Sequence, residues 1–157
     1  IAQSETATKK QFVKQWMHTG MLKYQGKKMS KSLKNLVLIG DLKKKYSANA
    51  VRIYLLSHHY RSVFEFHEKD LKNARQQEEL FKKVWRSQSH IGNPLGISEY
   101  TEEFHKAMNS DMNTPKALEI MERLAKRILE EKEKNVAAAK AFLNIAFGVM
   151  GLTVEYQ

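Results

Sequence analysis

The stretch WMHTGMLKYQGKKMSKSLKN, residues 16–35, changes character part-way along. From Trp16 to Tyr24 aromatic and apolar residues mix in the manner of a strand. Gln25-Gly26 then supplies a turn, so Met21–Tyr24 and the start of the following segment predict a hairpin-like bend. Trp16 and His18 stand at alternating strand positions and share a face. The loop Lys27–Asn35 is dense in Lys and Ser. At its centre, Lys28-Met29-Ser30-Lys31-Ser32 sets two ammonium groups three residues apart, interleaved with two small hydroxyls. Lysines are compact point charges suited to phosphate oxygens, and hydroxyls complete the shell without bulk. A loop of this kind can close on a triphosphate. There, donors aimed at charge developing beside the leaving pyrophosphate contribute on the order of 2–4 kcal/mol each. Composition alone favours a plain basic surface loop.

Working outward, residues 4–14 read as a short polar helix. Leu36–Ile39 reads as a short buried run ending at Gly40, and Asp41 as the cap of a brief helix over Leu42–Tyr46. Ser47 caps a helix near Asn49–His59, with Val51, Tyr54 and Leu55 toward the core. After a bend over 61–66, residues 68–88 form a long helix that turns Leu71, Ala74, Phe81, Val84 and Trp85 inward. Residues 89–98 (SHIGNPLGIS) read as a linker. Three helices follow: Glu99–Asn109, Pro115–Lys132 with Thr114 as its cap, and Asn135–Met150, which ends at Gly151. The inward stripe of the second is Leu118, Met121, Leu124, Ala125 and Ile128; that of the third is Phe142, Ile145, Phe147 and Val149.

The 157 residues are 42% hydrophobic and 28% charged, a composition that folds. The net charge of +10 is uneven. Residues 1–90 carry 19 Lys and Arg against 7 Asp and Glu, whereas residues 91–157 carry 8 against 10. A polyanion-facing surface therefore belongs to the first part, with a merely well-solvated surface as the alternative. The chain has no cysteine, which excludes disulfides and thiolate metal sites within it and fits a reducing compartment. No apolar run has membrane-spanning length and no secretory pattern opens the chain, so the cytoplasm is the expected location. An opening of Ile-Ala-Gln-Ser-Glu without Met reads as a piece of something longer.

The pentamer Lys28–Ser32 matches, residue for residue, the second signature of class I aminoacyl-tRNA synthetases. The blocks IAQSE, WMHTGMLKYQGKKMSKSLKN, LSHHYRS and MNSDMNTPKALE, in that order, resemble the cysteinyl-tRNA synthetases within that class. The resemblance implies a mainly α fold. A small α/β remnant of the catalytic domain carrying the KMSKS loop (1–40) would be followed by a stem-contact helical region (41–90) and a DALR-type helical bundle (91–157). It implies that Lys31 is the principal ATP-binding lysine, supported catalytically by Lys28 and Ser30. Met29, Ser32, Trp16 and His18 would complete the ATP pocket, and Lys43, Lys44, Lys45 and Arg61 would contact tRNA. Lys34 departs from a glycine common at that position.

The family's HIGH-like first signature and its zinc ligands are not among these residues; by the resemblance, the last zinc ligands lie just before the IAQSE block. His58-His59 is no substitute, because adjacent helical side chains point apart, so no metal ligand is expected in this chain. The implied function is ATP-dependent activation of cysteine, with Mg, and its transfer to tRNA(Cys) by a cytoplasmic monomer, the isolated chain itself being inactive. A cysteine–amino sugar ligase and a noncatalytic RNA-binding or assembly module are the alternatives.

Overall fold

The computed structural model describes residues 2–154. A short helix α1 (Ala2–Thr8) leads through an irregular segment to β1 (Leu22–Tyr24) and β2 (Lys27–Lys28). Then come α2 (Ile39–Leu42), α3 (Ala48–Leu56), β3 (Phe64–Glu65), and the helices α4 (Glu68–Arg86), α5 (Ser98–Asn109), α6 (Thr114–Glu130) and α7 (Ala137–Val149). The fold is mainly α with a three-stranded sheet of order β2-β1-β3. Among the described residues no helix is long and apolar enough to cross a membrane.

The hairpin expected from Gln25-Gly26 is present: β1 pairs antiparallel with β2, with Lys23 opposite Lys28. Strand character is narrower than expected, since residues 16–21 have no strand partner. The bend over 61–66 contains β3, which runs parallel to β1 with Leu22 opposite Phe64. Two residues are too few to show a periodicity, so only this tertiary pairing reveals β3 as a strand. Gly20 is required where the two segments meet: a Cβ there would lie 2.0 Å from the Ser62 carbonyl oxygen.

Five local expectations are corrected. The first helix stops at Thr8, and Lys9 turns left-handed with φ 54°. Leu36, Leu38 and Ile39 are exposed rather than buried, because no described element covers them. α2 consequently begins at Ile39, and Asp41 lies inside its first turn rather than capping it. α3 ends before the histidines, where the Ser57 hydroxyl donates to the Tyr54 carbonyl. The α6 cap is Asn113, whose side chain accepts from Lys116 N–H, not Thr114. Ser47 caps α3 as expected, accepting from Ala50 N–H.

The core lies where α3 and α4 pack on each other and on α6, with α5 and α7 flanking α6. Ile53, Leu71, Phe81, Ile120, Met121, Leu124 and Leu143 are fully buried there. All five residues of the α6 stripe are buried, but Leu55 on α3 and Ile145 and Val149 on α7 face outward. Phe81 meets Phe147 edge-on at 5.0 Å, joining α4 to α7. Residues 89–98 are irregular but docked: Pro94 bridges Asn135, and Leu95 N–H donates to the Asn135 carbonyl at 2.9 Å. The buried Glu78 accepts from the Ser47 hydroxyl at 2.6 Å and pairs with Lys82 at 3.2 Å.

Candidate functional site

Gln25 and Gly26 both have positive φ, 52° and 72°, the paired left-handed geometry that lets a two-residue turn follow the strand twist. Gly26 N–H also donates to Glu65 Oε1 at 2.8 Å, which ties the turn to β3. Met29, half-buried against the core, anchors the exit of β2. Beyond it the chain is closed by Asn35. Its Oδ1 accepts from Ser30 N–H at 2.9 Å, and its Nδ2 donates to the Lys28 carbonyl at 3.2 Å. Leu33 N–H donates to Ser30 Oγ at 3.3 Å, and the Ser30 and Ser32 hydroxyls lie 3.1 Å apart. The hydroxyls and the Asn35 amide thus build the frame, leaving the ammonium groups outside it.

Lys28 and Lys31 are both exposed, and among the described residues neither pairs with a carboxylate. An unpaired, solvated ammonium can meet a phosphate without first giving up a partner. Lys34 has φ 51°, the region glycine adopts without penalty, so a physical reason exists for a glycine at this place. In this chain the turn keeps a third lysine at some backbone cost.

Trp16 and His18 stack with ring centroids 6.3 Å apart and 22° between planes, so they do share a face. That face opens on a cleft of about 430 Å³ lined also by Tyr60, Arg61, Asp111 and Met112. None of Lys28–Ser32 lines this cleft, so the structure does not bring the two groups of expected ATP contacts together there.

Arg61 is engaged within the protein. Its Nε lies 3.0 Å from Asp111 Oδ2 and 2.7 Å from the Tyr60 hydroxyl, and its Nη2 donates to Asp111 Oδ1 at 3.3 Å. The Tyr60 hydrogen bond, then the Asp111 charge, push the Arg61 pKa up. Of the lysine run just after α2, Lys44 pairs with Asp41 at 2.7 Å, while Lys43 and Lys45 are exposed. His58 Nδ1 donates to the Tyr54 carbonyl and its ring stacks on Phe64 at 4.0 Å, whereas His59 Nε2 donates to the Asp111 carbonyl at 3.0 Å. The two rings therefore diverge into separate packing roles. Among the described residues no group of three His, Cys, Asp or Glu side chains could hold a metal, so zinc does not fit these residues. His90-Ile91-Gly92-Asn93 shares three letters with HIGH, but it lies between α4 and α5. A Cβ on Gly92 would sit 2.4 Å from the Glu133 carbonyl, so backbone rather than nucleotide fills that space.

Asn35, Glu65, Tyr60 and Asp111 carry much of this geometry and were not singled out by residue chemistry. Asn35 sits in the block that holds the pentamer, Tyr60 in LSHHYRS and Asp111 in MNSDMNTPKALE, whereas Glu65 lies in none of the blocks and carried no signal.

A family model for the class I (C) tRNA synthetase catalytic domain matches residues 1–76, and one for the DALR domain matches residues 103–155. The chain belongs to the class I tRNA synthetases of the cysteinyl type. Among curated relatives, a cysteine–tRNA ligase of Salmonella arizonae is 37% identical over 155 residues, 97% of this chain and 34% of the relative. A cysteine–tRNA ligase of Pseudomonas syringae pv. syringae is 37% identical over 139 residues, 88% of this chain and 30% of the relative. The chain thus spans about a third of the length of the curated relatives it matches.

Proposed function

We propose that this chain supplies the ATP-clamping loop and the RNA-facing helices of a cysteine–tRNA ligase. The observation that carries the reading is the loop's division of labour: Asn35, Ser30 and Ser32 close the turn, and Lys28 and Lys31 stand free of carboxylates outside it. In this reading Lys31 and Lys28 bind the triphosphate of ATP and stabilise charge on the departing pyrophosphate while cysteine is activated. Ser30 sets the loop's curvature and Met29 anchors it; Ser32, Trp16 and His18 border the nucleotide. Mg accompanies the nucleotide, and zinc belongs to residues outside this chain.

The exposed Lys43, Lys44 and Lys45, with Arg61, serve tRNA(Cys) as phosphate contacts, which give affinity and salt dependence without reading sequence. Residues 1–40, 41–90 and 91–157 act as catalytic remnant, stem-contact region and helical bundle of a cytoplasmic, monomeric ligase. The isolated chain, carrying neither an HIGH-like nucleotide segment nor zinc ligands, does not aminoacylate.

The test is cysteine-dependent ATP–pyrophosphate exchange in a complete ligase carrying these residues. K31A should lower the rate by roughly 100-fold or more, the scale for losing one donor to transition-state charge. Full exchange by K31A would end this reading. Salt-sensitive tRNA binding by the wild type separates it from a cysteine–amino sugar ligase, which has no use for counterion release.

A further inference from the structure

We infer that Asp111 is a positioning residue: it latches the α5–α6 turn to the Tyr60-Arg61 segment and, through β3 and β1, steadies the lysine-serine loop. The turn is unusual in its own backbone. Asp111 and Met112 both have positive φ, 53° and 51°, in consecutive non-glycine residues. Such strain persists where surrounding contacts over-determine it. Here the contacts come from one short segment: the Tyr60 hydroxyl donates to Asp111 Oδ1 at 2.6 Å, Arg61 grips both carboxylate oxygens, and His59 Nε2 lies 3.0 Å from the Asp111 carbonyl.

From there the path to the loop is backbone throughout. Gly20 N–H donates to the Tyr60 carbonyl at 2.6 Å, and the Gly20 Cα is pressed against Ser62. Phe64 N–H donates to the Met21 carbonyl at 3.2 Å, and Met29 N–H to the Leu22 carbonyl at 3.4 Å. Moving residues 60–62 therefore moves the strand from which the loop springs. The Arg61–Asp111 pair is exposed, so it adds little to global stability and acts instead on local opening. The inference rests on the reading above only for its consequence, that the α5–α6 turn would set the resting position of an ATP-facing loop.

Hydrogen exchange on the wild-type chain, D111N and Y60F tests it without nucleotide. In D111N the amides of Gly20, Met29 and Ser30 should exchange roughly tenfold faster, with Leu124 in α6 unchanged. Y60F, which removes one hydroxyl bond, should accelerate the same amides less. Acceleration confined to Gly20 would overturn the inference, because the latch would then stop short of the loop. Equal acceleration at Leu124 would overturn it too, showing a general loss of stability. In a complete ligase carrying these residues, added ATP that fails to protect the wild-type loop would defeat the ATP reading and leave the latch standing.

Discussion

Arg61 and Asp111 stand 50 positions apart in sequence and close a two-point ion pair, Nε to Oδ2 at 3.0 Å and Nη2 to Oδ1 at 3.3 Å. An arginine held this way offers less of its charge to a phosphate. If Arg61 faces tRNA, D111A releases it. Binding of tRNA should then tighten, and the slope of log affinity against log salt should steepen by about 0.7 to 0.9 for the one freed cation. Fluorescence anisotropy across a salt series measures both. An unchanged slope would assign Arg61 to the fold alone.

Asn35 holds the loop from both sides, so Asn35→Ala removes the bonds to Ser30 N–H and to the Lys28 carbonyl together. Because the loop is largely exposed, the melting temperature should barely move. The ordering cost now falls on nucleotide binding instead, and the Kd for ATP should rise roughly tenfold, the equivalent of about one lost hydrogen bond. Isothermal calorimetry with ATP and a thermal melt on the same sample check the two halves of the expectation.

Gly20→Ala places a methyl carbon 2.0 Å from a carbonyl oxygen that belongs to the backbone and has no rotamer to change. The β1–β3 pairing must part to admit it. The expected loss is on the order of 3 kcal/mol in urea unfolding, at the upper end for overpacking. A neutral result would mean that residues 60–62 move freely against β1.

Tyr54 on α3 is buried edge-on to Phe64 and Phe66, and among the described residues its hydroxyl has no hydrogen-bond partner. Burial pushes its pKa from 10.0 up to about 12, the nearby His67 backbone offsetting this only in part and without hydrogen-bond geometry. The folded state thus holds the phenol proton more tightly than the unfolded one. That stability is intact below pH 10.0 and is lost as pH climbs toward about 12. Urea midpoints taken at about pH 9 and about pH 11.5 should show roughly 2 kcal/mol of alkaline loss in wild type that Y54F lacks. At neutral pH, Y54F should be more stable by about 1 kcal/mol, since it removes a buried unsatisfied hydroxyl.

Helices with a long apolar period were legible in the sequence. The α6 stripe from Leu118 to Ile128 could be read residue by residue, because burial on one face of a long helix leaves a strong periodic trace. The Gln25-Gly26 turn was legible because its backbone demands particular residues. Short apolar runs were not. Leu36–Ile39 has the composition of a core strand, yet Leu36, Leu38 and Ile39 lie exposed, and Ile145 on α7 carries a side chain that the neighbouring helices do not cover. The lysine-serine loop was readable as a pattern, while its frame was not, since an Asn35 amide bridging Ser30 and Lys28 obeys no spacing rule. Asp111 escaped for a related reason: its partners are far away along the chain and meet it only once α5 and α6 have turned.

Asn49 is buried at the start of α3, and among the described residues its side chain is satisfied by Thr153, donating to that carbonyl at 2.7 Å and accepting from that N–H at 3.0 Å. These bonds close a loop of 104 residues, so the amide lacks this partner until Thr153 has been made. During synthesis on the ribosome, then, α3 can form early but cannot settle, and any nascent chain that stops short of Thr153 carries a dry, unanswered amide beside the surface that α4 must cover. The settling of α3 and α4 is in this sense timed by the emergence of Thr153 rather than by their own sequence.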